Sequence, residues 1–191
     1  MRIQILSDPE VSALLSYLGG CSHRDQLLFR LMLHCGLRIG EVSALDVEHV
    51  WRAGYVHPAI NLVRGTTKGH RARFVDIPQS VRFLIDTHMK HLVEDDPDLK
   101  PSAPLFLGHK RKQRLGVSGI GRIVNEISLL ALGRRVHPHV LRHTYATILM
   151  KYTNIRVVQT LLGHSKLGTT EIYTHVSSED CKTAVNQAFS R

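Results

Sequence analysis

Long apolar runs are missing from this sequence, and none approaches the roughly 18–20 residues that a membrane span needs. The opening stretch Met1 to Leu6 is cut short by Asp8 and Pro9, too early for a signal peptide. A soluble, cytoplasmic chain with no membrane partner is expected. Cysteine is also scarce. Cys21, Cys35 and Cys181 are odd in number and spaced for neither a disulfide framework nor a CxxC metal clip. A reducing compartment accounts for them, with Cys35, inside an apolar run, as a core residue. There is no internal repeat and no low-complexity tract. Acidic residues are outnumbered, 16 against 25 Lys and Arg, so the net charge is +9 and a polyanion, nucleic acid first, is the favoured partner class.

What is present fits one domain, with 43% hydrophobic residues to build its core. Ser7-Asp8-Pro9-Glu10 opens a short helix through Leu14 and Leu15. Arg24 to His34 reads as a buried helix stopped at Gly36, and a second helix is expected from about Gly40 to Val50. Tyr55 to Val63 and Arg71 to Ile77 read as two strands joined by a turn at Thr66 to His70, a β-hairpin. In the second strand Arg71 and Arg73 alternate with Ala72 and Phe74, which predicts one cationic face. Helical spacing returns at Ser80 to Val93 and Gly119 to Leu132. Short helices are expected at His139 to Tyr152, Asn154 to Leu162, Thr169 to His175 and Ser178 to Phe189. The fold class is α+β, mainly α, with one small antiparallel sheet.

Four segments carry chemistry-bearing residues, and each has an ordinary reading when taken singly. Arg38, in Cys35 to Val42, follows a glycine stop and suits a surface arginine at a helix junction. Thr67 to Arg73 suits a solvated basic turn. His139 and His143 are spaced i,i+4 on a helix, which can bind zinc. A zinc protease needs Glu directly after the first histidine, however, and Val140 stands there. Arg142 beside them also repels a cation, so no metal site is assigned. His164 and Tyr173 suit a buried histidine at a helix end and an unremarkable tyrosine.

Taken together, the strings GLRIGEV, TKGHRAR, HVLRH, LLGHS and TTEIYTHV, in that order, resemble the tyrosine recombinase (phage integrase) family. The resemblance runs from Asp8 to about Val185. It implies the family's catalytic fold and a catalytic set of Arg38, Lys68, His139, Arg142, His164 and Tyr173, with Glu41 supporting the first arginine. Tyr173 stands nine positions after His164, as in family members.

The reaction this implies is a transesterification on double-stranded DNA without metal, ATP or other cofactor. Tyr173 attacks a phosphodiester, forms a 3′-phosphotyrosine and releases a 5′-hydroxyl. Arg38 and Arg142 can clamp the non-bridging oxygens, with His164 as a further donor. Lys68 on its hairpin suits the general acid for the leaving oxygen. His139 helps to take the tyrosine proton or to hold the phosphate. Arg71, Arg73, Lys110, Arg111, Lys112 and Arg114 are the candidate DNA contacts.

The ends of the chain bear on how far the resemblance extends. Most members carry an N-terminal helical domain that clasps the other face of DNA. The match starts near residue 8, so a catalytic domain over 1–177 with a C-terminal tail over 178–191 is expected, without that domain. The tail's Ala184, Val185, Ala188 and Phe189 either pack on a neighbouring subunit or fold back on their own core. A monomer in solution that forms a tetramer on paired DNA sites through the tail is expected, and removal of the tail should spare folding. The rival readings are a type IB topoisomerase, which nicks and relaxes DNA with similar residues, and a DNA-binding regulator that has lost catalysis.

Overall fold

The computed structural model describes residues 4–62, 73–108, 113–162 and 178–189. Helix α1 spans Asp8–Leu18 and begins where its sequence signal lies. Ser7 Oγ accepts from the Glu10 amide, and the Glu10 carboxylate accepts from the Ser7 amide at 2.8 Å. Helix α2, His23–Leu33, is the centre of the molecule. Leu27, Leu28, Phe29, Leu31, Met32 and Leu33 are all buried, because α2 is packed against several other helices.

The turn after α2 has a specific requirement for glycine. Gly36 has φ +64°, and a Cβ placed there would lie 2.4 Å from the Tyr145 ring. The expected helix over residues 40–50 is shorter. Helix α3 spans Ile39–Ser43, and a 3-10 turn follows at Val47–His49. Between them the backbone pairs with a distant loop instead. Leu105 donates to the Leu45 carbonyl at 3.0 Å and Val47 donates to the Ala103 carbonyl at 2.9 Å, so Leu45 and Asp46 are held extended.

The expected single strand Tyr55 to Val63 is two strands. Tyr55–Val56 (β2) pairs back on Trp51–Arg52 (β1) through the positive-φ turn Ala53-Gly54, while Ala59–Leu62 (β3) pairs antiparallel with Arg73–Asp76 (β4). Pro58, which has no amide hydrogen to donate, stands at the break. The register sets Leu62 opposite Arg73 and Ile60 opposite Val75. The turn expected at residues 66–70 lies outside the described residues.

Helices α4 (Gln79–Asp95), α5 (Val117–Leu132), α6 (Pro138–Leu149), α7 (Ile155–Leu162) and α8 (Ser178–Phe189) complete the chain. The helix expected at residues 169–175 also lies outside the described residues. α2 packs on α3, α4, α5 and α6, α1 packs on α5, and this assembly forms the main core. A second core lies at the end of α6, where Tyr145, Leu149, Val157, Val158, Leu161 and Leu162 meet Cys181, Ala184, Val185 and Phe189 of α8. In the single chain the tail therefore closes on its own body. Among the described residues no helix is long and apolar enough to cross a membrane.

Candidate active site

The site is built around one carboxylate. Glu41 sits in the middle of the short α3, and its side chain is 1% exposed. A buried charge is tolerated only when paired and hydrogen-bonded, and three arginines from three elements converge on this one. Arg38, just before α3, donates its amide to Glu41 Oε2 at 2.7 Å and its guanidinium to Oε1 at 3.1 Å. Arg73 of β4 grips both oxygens, at 2.7 and 2.9 Å. Arg142 of α6 stands 3.8 Å from Oε2. Burial pushes the Glu41 pKa up, but the bond and charge of Arg73, the Arg38 amide and the charge of Arg142 outweigh it and hold the carboxyl below its ordinary value.

One carboxylate against three guanidinium groups leaves an excess of positive charge. Arg142 is buried and donates to two backbone carbonyls, those of Gly36 and, at 2.7 Å, Leu162. Burial, and after it the charges of Arg38 and Arg73, pull its pKa down to about 9. It is charged at neutral pH but short of anionic partners. The Arg38 side chain retains 20% exposure. An anion that reached this pair would relieve the repulsion between them, and a phosphate suits the fork geometry of both.

His139 stands in the first turn of α6, three positions before Arg142, with its side chain exposed. Its ring stacks on His137 at 5.2 Å. Burial first, then the charges of His137, His143, Arg142 and Arg38, lower its pKa. A neutral imidazole that can accept a proton results. Among the described residues no three His, Cys, Asp or Glu side chains are grouped so as to hold a metal ion.

The structure thus brings Arg38, Glu41, His139 and Arg142 together. Lys68, His164 and Tyr173 lie outside the described residues, as do Arg71, Lys110, Arg111 and Lys112. The two remaining candidate DNA contacts, Arg73 and Arg114, have partners inside the chain. Arg73 is not on an outward cationic face. It shares the inward side of β4 with Val75, leaving Phe74 exposed, and its guanidinium neutralises Glu41. Arg114 forms an ion pair with Asp46 and donates to the carbonyls of Ser43, at 2.9 Å, and Leu45, at 3.1 Å, closing the C-terminal end of α3. Strand periodicity offered a signal for Arg73, since a residue two before a core valine faces the core. Nothing local marks Arg114.

Comparison with known proteins identifies the family and the fold. The phage integrase family model matches residues 4–180. Tyrosine recombinase XerA of Pyrococcus furiosus is 34% identical over 185 residues, which is 96% of this chain and 61% of that protein. Among solved structures, XerA recombinase superposes with a TM-score of 0.72 at 28% identity, over 92% of this chain and 61% of that one. XerH site-specific recombinase, bound to a palindromic difH substrate in a post-cleavage complex, superposes with a TM-score of 0.67 at 26% identity, over 92% of this chain and 50% of that one. The chain thus spans between about half and three-fifths of the length of these relatives. Arg38, His139 and Arg142 meet in the tyrosine-recombinase catalytic fold, the family's pattern runs nearly end to end, and this chain belongs to the phage integrase family.

Proposed function

We propose that this chain cuts and rejoins DNA strands at specific sites through a covalent bond from Tyr173 to a backbone phosphate. The observation that carries the reading is the pair Arg38 and Arg142, drawn from positions far apart in sequence, both tied to one buried carboxylate and left with surplus positive charge. Such a pair is matched to the non-bridging oxygens of a phosphodiester, whose negative charge grows in the transition state. Tyr173 Oη forms the new bond to phosphorus as the bond to the 5′-oxygen breaks. His139 takes or shares the tyrosine proton, Lys68 delivers a proton to the departing oxygen, and His164 adds a donor to the phosphate. The 5′-hydroxyl of an incoming strand then reverses the step, so no ATP is needed.

The reading extends to partners and place. Double-stranded DNA is the substrate, a reading supported by the XerH relative, a site-specific recombinase seen in a post-cleavage complex with its palindromic difH substrate. The free chain is a monomer, and a tetramer forms on paired sites when α8 is passed between subunits. The chain works in the cytoplasm, a reducing compartment that suits Cys21, Cys35 and Cys181, none of which is in a disulfide. The test is a nicked suicide DNA substrate. The wild type should form a protein–DNA adduct, while Tyr173→Phe forms none and still binds DNA. An adduct from the Tyr173→Phe variant overturns the nucleophile, and relaxation of supercoiled DNA without any exchange between two sites would assign the chain to topoisomerase chemistry.

A further inference from the structure

The two backbone carbonyls that hold Arg142 belong to segments covered by the C-terminal helix. The first is Gly36 O, in the left-handed turn after α2. The ring of Tyr145, one helical turn beyond Arg142 on α6, abuts that turn, so close that a Cβ at residue 36 has no room. On Tyr145 in turn stacks Phe189 of α8, with centroids 5.3 Å apart and planes 12° from parallel. The Phe189 ring also stacks on His34 at 4.8 Å, and its carbonyl accepts from Ser80 Oγ at 2.9 Å, which fixes the end of the helix. The second carbonyl is Leu162 O, at the end of α7, and the side chains of Leu161 and Leu162 share a core with Cys181, Ala184, Val185 and Phe189.

We propose that Tyr145 is a positioning residue for Arg142, and that the Phe189 ring seated on it transmits the docking of the C-terminal helix to the phosphate clamp. With Phe189 in place, Tyr145 is pressed onto the Gly36 turn, and the Gly36 carbonyl holds one arm of the Arg142 guanidinium. When Phe189 leaves, the ring and the turn gain freedom and the guanidinium loses its fixed aim. This rests on the reading above that Arg142 grips the scissile phosphate.

The test compares the full wild-type chain with Tyr145→Leu, Phe189→Ala, Tyr145→Phe and Arg142→Ala. Single-turnover cleavage is measured at saturating DNA on two suicide substrates, and affinity by titration. One substrate has an ordinary scissile phosphate. In the other, a methylphosphonate replaces a charged non-bridging oxygen with a methyl group, so the reacting centre needs less cationic help. Tyr145→Leu and Phe189→Ala should cut the phosphate about tenfold more slowly or worse, with affinity within about twofold of wild type. On the methylphosphonate their deficit should shrink to about threefold or less, as for Arg142→Ala. Tyr145→Phe, which keeps the ring, should match the wild type. Equal losses on both substrates, a loss confined to affinity, or no loss at all would overturn the proposal. A wild type that forms no adduct overturns the functional reading with it, whereas a wild type that cuts beside variants that cut equally well overturns the positioning role alone. Should Tyr145→Leu fail to fold, Phe189→Ala carries the test, since it removes a single ring from the last turn of the chain's final helix.

Discussion

Arg73 reaches across from β4 to hold both carboxylate oxygens of Glu41, at 2.7 and 2.9 Å. The pair fastens the sheet to the helix that presents Arg38. Removing one partner leaves the others buried and unpaired, which costs about 3–5 kcal/mol at such sites. Glu41→Gln should therefore lower stability by about 3 kcal/mol at pH 7. The folded Glu41 pKa is lowered, so its contribution is fully present above the unfolded value and disappears as pH falls from there through the folded value. Urea unfolding at pH 7 and at pH 3.5 checks this, because the gap between wild type and Glu41→Gln should narrow in acid. A gap that is the same at both values would mean that the carboxylate charge contributes nothing.

The second prediction separates the two kinds of cation. If Lys68 protonates the departing 5′-oxygen, a substrate with sulfur at that bridging position should rescue Lys68→Ala, because sulfur leaves readily without a proton. If Arg38 and Arg142 act on the non-bridging oxygens, Arg38→Ala and Arg142→Ala should stay impaired on the same substrate. Equal rescue of all three would place the general acid elsewhere.

The third concerns His139. Only the neutral imidazole accepts a proton, and its pKa is lowered by burial and by its cationic neighbours. Activity should hold as pH falls to about 6.5 and decline only below it. A cleavage-rate profile from pH 5 to 8 reads this, and His139→Gln should remove the acid limb. A limb centred above pH 7, or one untouched by the substitution, would assign the titration to another group.

The fourth corrects an expectation about the tail. Apolar residues alone left open whether residues 178–191 lie on another subunit, and in that case their removal spares folding. In the chain itself Cys181, Ala184, Val185 and Phe189 are all buried, against α6 and α7. Deleting them exposes that face and should cost roughly 3–6 kcal/mol at the usual gain per buried apolar side chain. Thermal melts of the free chain and the truncation check this. A truncated chain that melts at the wild-type temperature would mean that α8 is not seated in the free monomer.

Much of the site could be read from the sequence because its chemistry is local to short strings. Arg38, Glu41, His139 and Arg142 sit where GLRIGEV and HVLRH placed them, and the helices around them follow apolar spacing and their caps, as at Ser7. Long-range pairing was harder to see. The stretch after α3 has helix-compatible residues, yet Leu45 and Val47 form hydrogen bonds to a loop nearly sixty positions later. For Arg73 and Arg114, basic character alone suggests an outward-facing cation, and their pairing with an internal carboxylate depends on Glu41 and Asp46, which only the fold brings near.

The distance in sequence between Gly36 and Arg142 also bears on how the protein is made. Residue 36 leaves the ribosome long before residue 142, and the bond between them closes a loop of about a hundred residues, a contact of the slow, non-local kind. A nascent chain that has reached β4 holds Arg38, Glu41 and Arg73 but lacks Arg142, and the cluster is incomplete. The cluster comes into being only when most of the chain has been synthesised and folded, so on the proposed function incomplete translation products would carry the first arginine but not the means to nick DNA.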